Sequence, residues 1–114
     1  MKVDITKLEK HYYSIGEVAE LFDVATSLVR YWDSEFSTLR PTKSKKGDRK
    51  FKVKDIEQLN LIYNLVKERG FTIDGARKEI TLQKKSQMQK REIVKELSFL
   101  KRRIQGLQLQ LANG

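Results

Sequence analysis

Ser27, Arg30, Tyr31 and Ser34 recur at intervals of three and four along the chain. On a helix they share one face, and their hydroxyl, guanidinium and phenol groups can all donate hydrogen bonds. No acid stands among them. Such a face suits phosphate oxygens and the acceptor edges of bases; it offers no nucleophile and no general base. A second set follows closely. Arg40, Lys43, Lys45, Lys46, Arg49, Lys50, Lys52 and Lys54 are eight cations against the single acid Asp48. Clustered Lys and Arg gain free energy by releasing counterions from a polyanion. The plainer alternative is a solvated basic loop.

Both sets need elements to carry them. Ser14 with Glu17 three residues later is a capping box, in which each side chain satisfies a main-chain N–H at a helix start. Ile15, Val18, Ala19 and Phe22 then repeat at helical spacing. Asp23 tolerates the left-handed backbone of a tight turn, and Thr26 or Ser27 is expected to cap a second helix. On that helix Leu28, Val29, Trp32 and Phe36 occupy one arc of about 100°, the core face. Ser27, Arg30, Tyr31 and Ser34 lie opposite. Two short helices around a tight turn, with a donor-rich second helix, make a helix-turn-helix.

Gly47-Asp48 is a turn signal inside the cationic stretch. Leu39 to Thr42 and Arg49 to Val53 are expected to pair around it as a hairpin wing, with Phe51 and Val53 on the core side. Lys43, Lys45, Lys46, Arg49 and Lys50 are its candidate phosphate contacts, which fix register and do not read sequence. Asp55 is expected to start a third helix carrying Ile56, Leu59, Ile62, Tyr63 and Val66, and Gly70 to stop it. Thr72 can cap a fourth, with Ile73, Ala76 and Ile80 inward. Ser14 and Thr26, at the starts of the first two helices, complete the candidate contacts.

The tail differs in kind. Ile93, Leu97, Leu100, Ile104, Leu107 and Leu111 alternate by four and three, a heptad seam. It follows a polar stretch, Thr81 to Lys90, and a second copy of the chain is its expected partner. A helix folded back on its own domain is the alternative. Eight cations against Glu92 and Glu96 place +6 of the total charge here, which tempers any argument from net charge to the preceding domain. The expected organisation is a flexible N-terminus over 1–11, a winged helix-turn-helix domain over 12–80 and a coiled-coil dimerisation helix over 81–114.

The 114 residues allow a modest core and no sizeable ligand domain beside it. A net charge of +9 favours a polyanionic partner, double-stranded DNA above all, or simply solubility. With no Cys and one His, His11, neither a disulfide framework nor a metal site is expected, and no cofactor. His11 reads as a surface residue; Tyr12 or Tyr13 can reach a phosphate, but packing against the first helix is the expected role. No apolar run approaches the roughly 20 residues of a membrane span, and no signal peptide opens the chain. A cytoplasmic protein that is not an enzyme is expected.

Taken in order, Tyr13-Ser14-Ile15-Gly16-Glu17-Val18-Ala19, Val29-Arg30-Tyr31-Trp32-Asp33, Arg40-Pro41, Gly47-x-Arg49-x-Phe51, Asp55-Ile56-x-x-Leu59-x-x-Ile62 and Arg69-Gly70-Phe71-Thr72-Ile73 resemble the MerR family of bacterial transcription regulators. The resemblance covers roughly residues 12 to 80. Asp23, Trp32 and Glu35-Phe36 depart from the usual pattern. The resemblance implies a mainly α fold with a short β-hairpin wing, and a second, turn-like wing over residues 68–74, where Lys67 or Arg69 can touch phosphate or be ordinary surface charge. It also implies a homodimer on an inverted-repeat operator in bacterial promoter DNA, with RNA polymerase as a further partner. Its coil would be antiparallel; a parallel coil would set Glu96 beside the partner's Lys101. Members usually carry an effector-binding region and metal-binding cysteines, and this sequence shows neither. An excisionase-like DNA-bending protein is the nearest rival, with the heptads against it. A helical interaction adaptor without DNA function is another, with the basic wing against it.

Overall fold

The computed structural model describes residues 1–113, so Gly114, the end of the expected 81–114 helix, lies outside the described residues. The chain divides into two compact units, Met1–Lys78 and a second from Glu79 onward. In the first, β1 (Tyr12–Ser14) leads into α1 (Ile15–Phe22) and α2 (Thr26–Glu35). A hairpin of β2 (Thr42–Lys43) and β3 (Arg49–Lys52) follows, then α3 (Val53–Tyr63), a π-type segment (Asn64–Glu68) and the start of α4 (Ile73–Asn113).

Helix α1 begins where the capping box predicts. Ser14 Oγ accepts from the Glu17 N–H at 3.2 Å, and Glu17 Oε1 accepts from the Ser14 N–H at 3.1 Å. It ends at Asp23, whose φ of +53° turns the chain left-handed while Val24 N–H returns to the Ala19 carbonyl at 3.0 Å. The start of α2 differs from expectation. Ala25, not Thr26 or Ser27, takes the cap position, and no side chain caps it. The left-handed residue leaves only Val24 and Ala25 to reverse direction before helical dihedrals resume, so Thr26 is already inside the helix.

Phe22, Val29, Trp32, Phe51, Ile56, Leu59, Ile62 and Leu65 are fully buried and form the core. Leu28, expected beside Val29, is only half-buried. The Tyr63 ring joins the elements, 5.9 Å from Phe22 and edge-on to Trp32 at 6.5 Å. The sheet has three strands rather than the two of a simple hairpin, in the order β1-β3-β2. Tyr13 stands in register with Phe51, and both are buried. The three residues of β1 are too few to show a strand period.

Two boundaries in this region also move. Val53, expected on the core side of the hairpin, is the first residue of α3, and Asp55 opens that helix from its third position, accepting from the Lys52 N–H at the cap. The reason is a hydrogen-bonding demand. Asp55 is 6% exposed; its Oδ1 accepts from the Arg40 N–H at 3.1 Å and its Oδ2 from the Lys52 N–H at 2.9 Å. One carboxylate therefore closes both roots of the wing. Gly70, at φ +72°, ends the π-type segment, and Thr72 Oγ1 accepts from the Gly75 N–H at 3.0 Å to start α4.

Residues 1–11, which composition suggests are loosely held, include a fastened point. Val3 is buried, its N–H donating to Asn60 Oδ1 at 2.9 Å and its carbonyl accepting from Asn60 Nδ2 at 2.8 Å. The second unit is helix. Among the described residues no helix is long and apolar enough to cross a membrane.

Candidate nucleic-acid interface

Helix α2 buries Val29 and Trp32 and leaves Thr26, Ser27, Arg30, Tyr31 and Ser34 exposed. That division follows from its periodicity, since the two faces are about half a turn apart. Ser34 Oγ donates to the Tyr31 carbonyl at 2.6 Å, so its hydroxyl proton already has a partner on the helix. The acids of α2 are occupied. Asp33 pairs with Arg49 of β3 at 2.8 Å, and Glu35 pairs with Arg77. Both acids therefore have internal cations, and the outer face keeps its positive character.

The pairing changes the standing of Arg49. Charge pattern counts it with the free cations of the wing, yet its side chain is 23% exposed and points to an Asp33 that is 8% exposed. It joins β3 to α2 across the domain. Lys45 and Lys46 sit at the hairpin tip, where Gly47 at φ +85° lets Gly47 N–H reach the Ser44 carbonyl at 2.9 Å. The Ser44 N–H closes the turn on the Asp48 carbonyl at 2.8 Å. Lys43 and Lys50 lie on the paired strands, opposite Arg49 and Thr42, and both are exposed.

A cleft of about 460 Å³ opens between these elements, lined by Tyr12 to Ile15, Glu17, Arg30 and Gly47 to Lys50. It brings Ser14, Arg30, Arg49 and Lys50 together. Tyr12, half-exposed and expected to pack, instead joins them, while Tyr13 is buried. Glu17 is drawn into the same region by Lys10. The Lys10 ammonium first, and the Ser14 N–H second, hold its carboxyl below the usual glutamate range. Arg69 is placed elsewhere, its guanidinium stacked over the Phe71 ring at 4.7 Å.

The candidate dimerisation residues form the apolar face of the second unit. Ile93, Leu97, Leu100, Ile104, Leu107 and Leu111 are each more than half exposed, an expensive state for six large side chains at heptad spacing.

Comparison with known proteins comes to the same region. The family described as MerR HTH family regulatory protein matches residues 13–83. Among solved structures the chain is similar to the crystal structure of HiNmlR, described as a MerR family regulator lacking the sensor domain, bound to promoter DNA. The two are 21% identical, with a TM-score of 0.52, over 89% of this chain and 88% of that one, a likeness of fold. No curated protein matches the chain.

Proposed function

The chain belongs to the MerR HTH regulatory proteins, and from that premise we propose that it acts as a homodimer on an inverted-repeat operator in promoter DNA. Its role is that of a sequence-specific, DNA-binding transcription regulator, working in the bacterial cytoplasm on nucleoid DNA. The carrying observation is the outer face of α2, donor-rich and free of acid because Asp33 and Glu35 are paired internally. Arg30 and Tyr31 read the major groove, with Ser27 and Thr26 at the helix start. Lys43, Lys45, Lys46 and Lys50 follow the phosphates beside it, as Ser14 does from the start of α1. Arg49 supports the wing from behind, and Arg69 serves the second wing.

Residues 12–80 form the DNA-binding domain and 81–114 the dimerisation helix in this reading. The exposed seam from Ile93 to Leu111 supports a second copy as its partner, burying about 1.5–3 kcal/mol per large apolar side chain. An antiparallel coil places like heads at opposite ends. A two-fold dimer then meets two half-sites on one face of the duplex, where RNA polymerase can respond to the change in promoter geometry.

Selection of bound sequences from random duplex DNA tests this. Enrichment of a two-fold symmetric sequence is expected, and Arg30→Ala should weaken binding to it by roughly 1–3 kcal/mol. No enrichment by a dimeric, folded protein would refute the proposal.

A further inference from the structure

Helix α2 has no basic residue in its own last turn, so its terminal carbonyls lack a local cation. Arg77, 42 residues beyond Glu35, supplies one. Its Nε donates to the Glu35 main-chain carbonyl at 2.8 Å, and Nη2 pairs with the Glu35 carboxylate. Nη1 donates to Asp74 Oδ1 at 2.6 Å, in the first turn of α4. One planar fork holds both the main chain and the side chain of the residue that ends α2. A Lys ammonium has the charge but not the fixed donor directions.

The stabilising value of this contact is small. Arg77 and Glu35 side chains are 41% and 32% exposed, and water and salt screen such a pair. Its geometric value is larger. The Asp33–Arg49 ion pair holds α2 from the wing side, and the Arg77 fork holds it from its C-terminal end, so two arginines from different elements fix the pitch of one helix. Contacts to base edges need that pitch, because hydrogen bonds weaken steeply with misalignment. Long, flexible wing lysines on phosphates tolerate a small shift.

We infer that Arg77 is a positioning residue for DNA readout, acting through Glu35 on Arg30 and its neighbours and touching no DNA itself. This rests on the DNA-binding reading above. Loss of the fork lowers discrimination between sequences, while general affinity for duplex DNA stays.

The experiment compares wild type with Arg77→Lys, Arg77→Ala, Glu35→Gln and the double variant Arg77→Ala/Glu35→Ala. Affinities are measured at one salt concentration for the selected operator and for an unrelated duplex of equal length. Arg77→Ala should reduce the preference for operator by about tenfold, the worth of one base contact. Its affinity for the unrelated duplex should stay within about twofold, since the phosphate contacts remain. Arg77→Lys and Glu35→Gln should fall between, and the double variant should be no worse than Arg77→Ala, because both act through one contact. Equal weakening on both duplexes would reduce Arg77 to a structural residue, and an unchanged preference would overturn its role. Should Arg77→Ala fail to fold by circular dichroism, Arg77→Lys and Glu35→Gln decide on the same ratio. A folded wild type without preference for any duplex would overturn the DNA-binding reading itself, and the role of Arg77 with it.

Discussion

Asp55→Ala should destabilise the first unit far more than a charge near the surface ordinarily does. The carboxylate accepts from Arg40 N–H at 3.1 Å and Lys52 N–H at 2.9 Å, and the residue is 6% exposed. A hydrogen bond to a charged group contributes about 1.5–3 kcal/mol. Both donors are only part-buried and regain some water when the carboxylate is removed, so the lower end of that range applies to each. The two together come to about 3 kcal/mol. For a unit of this size each kcal/mol moves Tm by roughly 4–8 °C, which gives a fall of roughly 12–24 °C. Asp55→Asn keeps one carbonyl-type acceptor and turns an amide donor towards the other N–H, so it should lose at least half as much. Circular dichroism and the fluorescence of Trp32, the single Trp, follow the melt. Protein concentration is held fixed because dimerisation shifts Tm by mass action. Because both hairpin roots are released, affinity should also fall on every DNA sequence alike. A loss under about 1 kcal/mol, near the range of ordinary surface substitutions, would refute the view that one carboxylate holds the wing.

Lys45→Ala with Lys46→Ala should weaken binding to operator and unrelated DNA alike and flatten the salt slope by roughly one to two units; a loss confined to the operator would mean that the wing reads bases. Leu100→Glu places a charge in the middle of the exposed seam and should give monomers in sedimentation, with operator binding largely lost; a dimer that survives it would move the interface elsewhere. Glu17→Gln should blunt acid denaturation. Because the folded pKa of Glu17 is depressed by Lys10 and the Ser14 N–H, its contribution is present above the unfolded glutamate pKa and lost as pH falls through the folded value. An acid limb unchanged in Glu17→Gln would show that neither the Lys10 pair nor the capping box matters there.

Local pattern made much of this protein legible before any fold was known. Ser14 and Glu17 announce the start of α1 because a capping box closes within four residues. Val29 and Trp32 declare their burial by helical phase, and heptad spacing marks Ile93 to Leu111 as one apolar face. All of these are properties of a few turns of chain, set by backbone geometry alone. Family order and spacing, from Tyr13 to Ile73, carried the fold class further than periodicity does. What the sequence leaves open is partnership across distance. Nothing local says that Asp33 will take Arg49 out of the cationic wing, or that Asp55, besides accepting from Lys52 at the start of α3, will also hold Arg40. Nor does it say that Asn60 will fasten Val3, or that Arg77 will close the end of α2 at Glu35. The three residues of β1 show no period, and become a strand only because β3 presents an unpaired edge to them. Any arginine in the basic stretch carries the same charge on paper. Which one faces solvent and which one holds the helix in place depends on where the chain returns, and only the folded chain decides that.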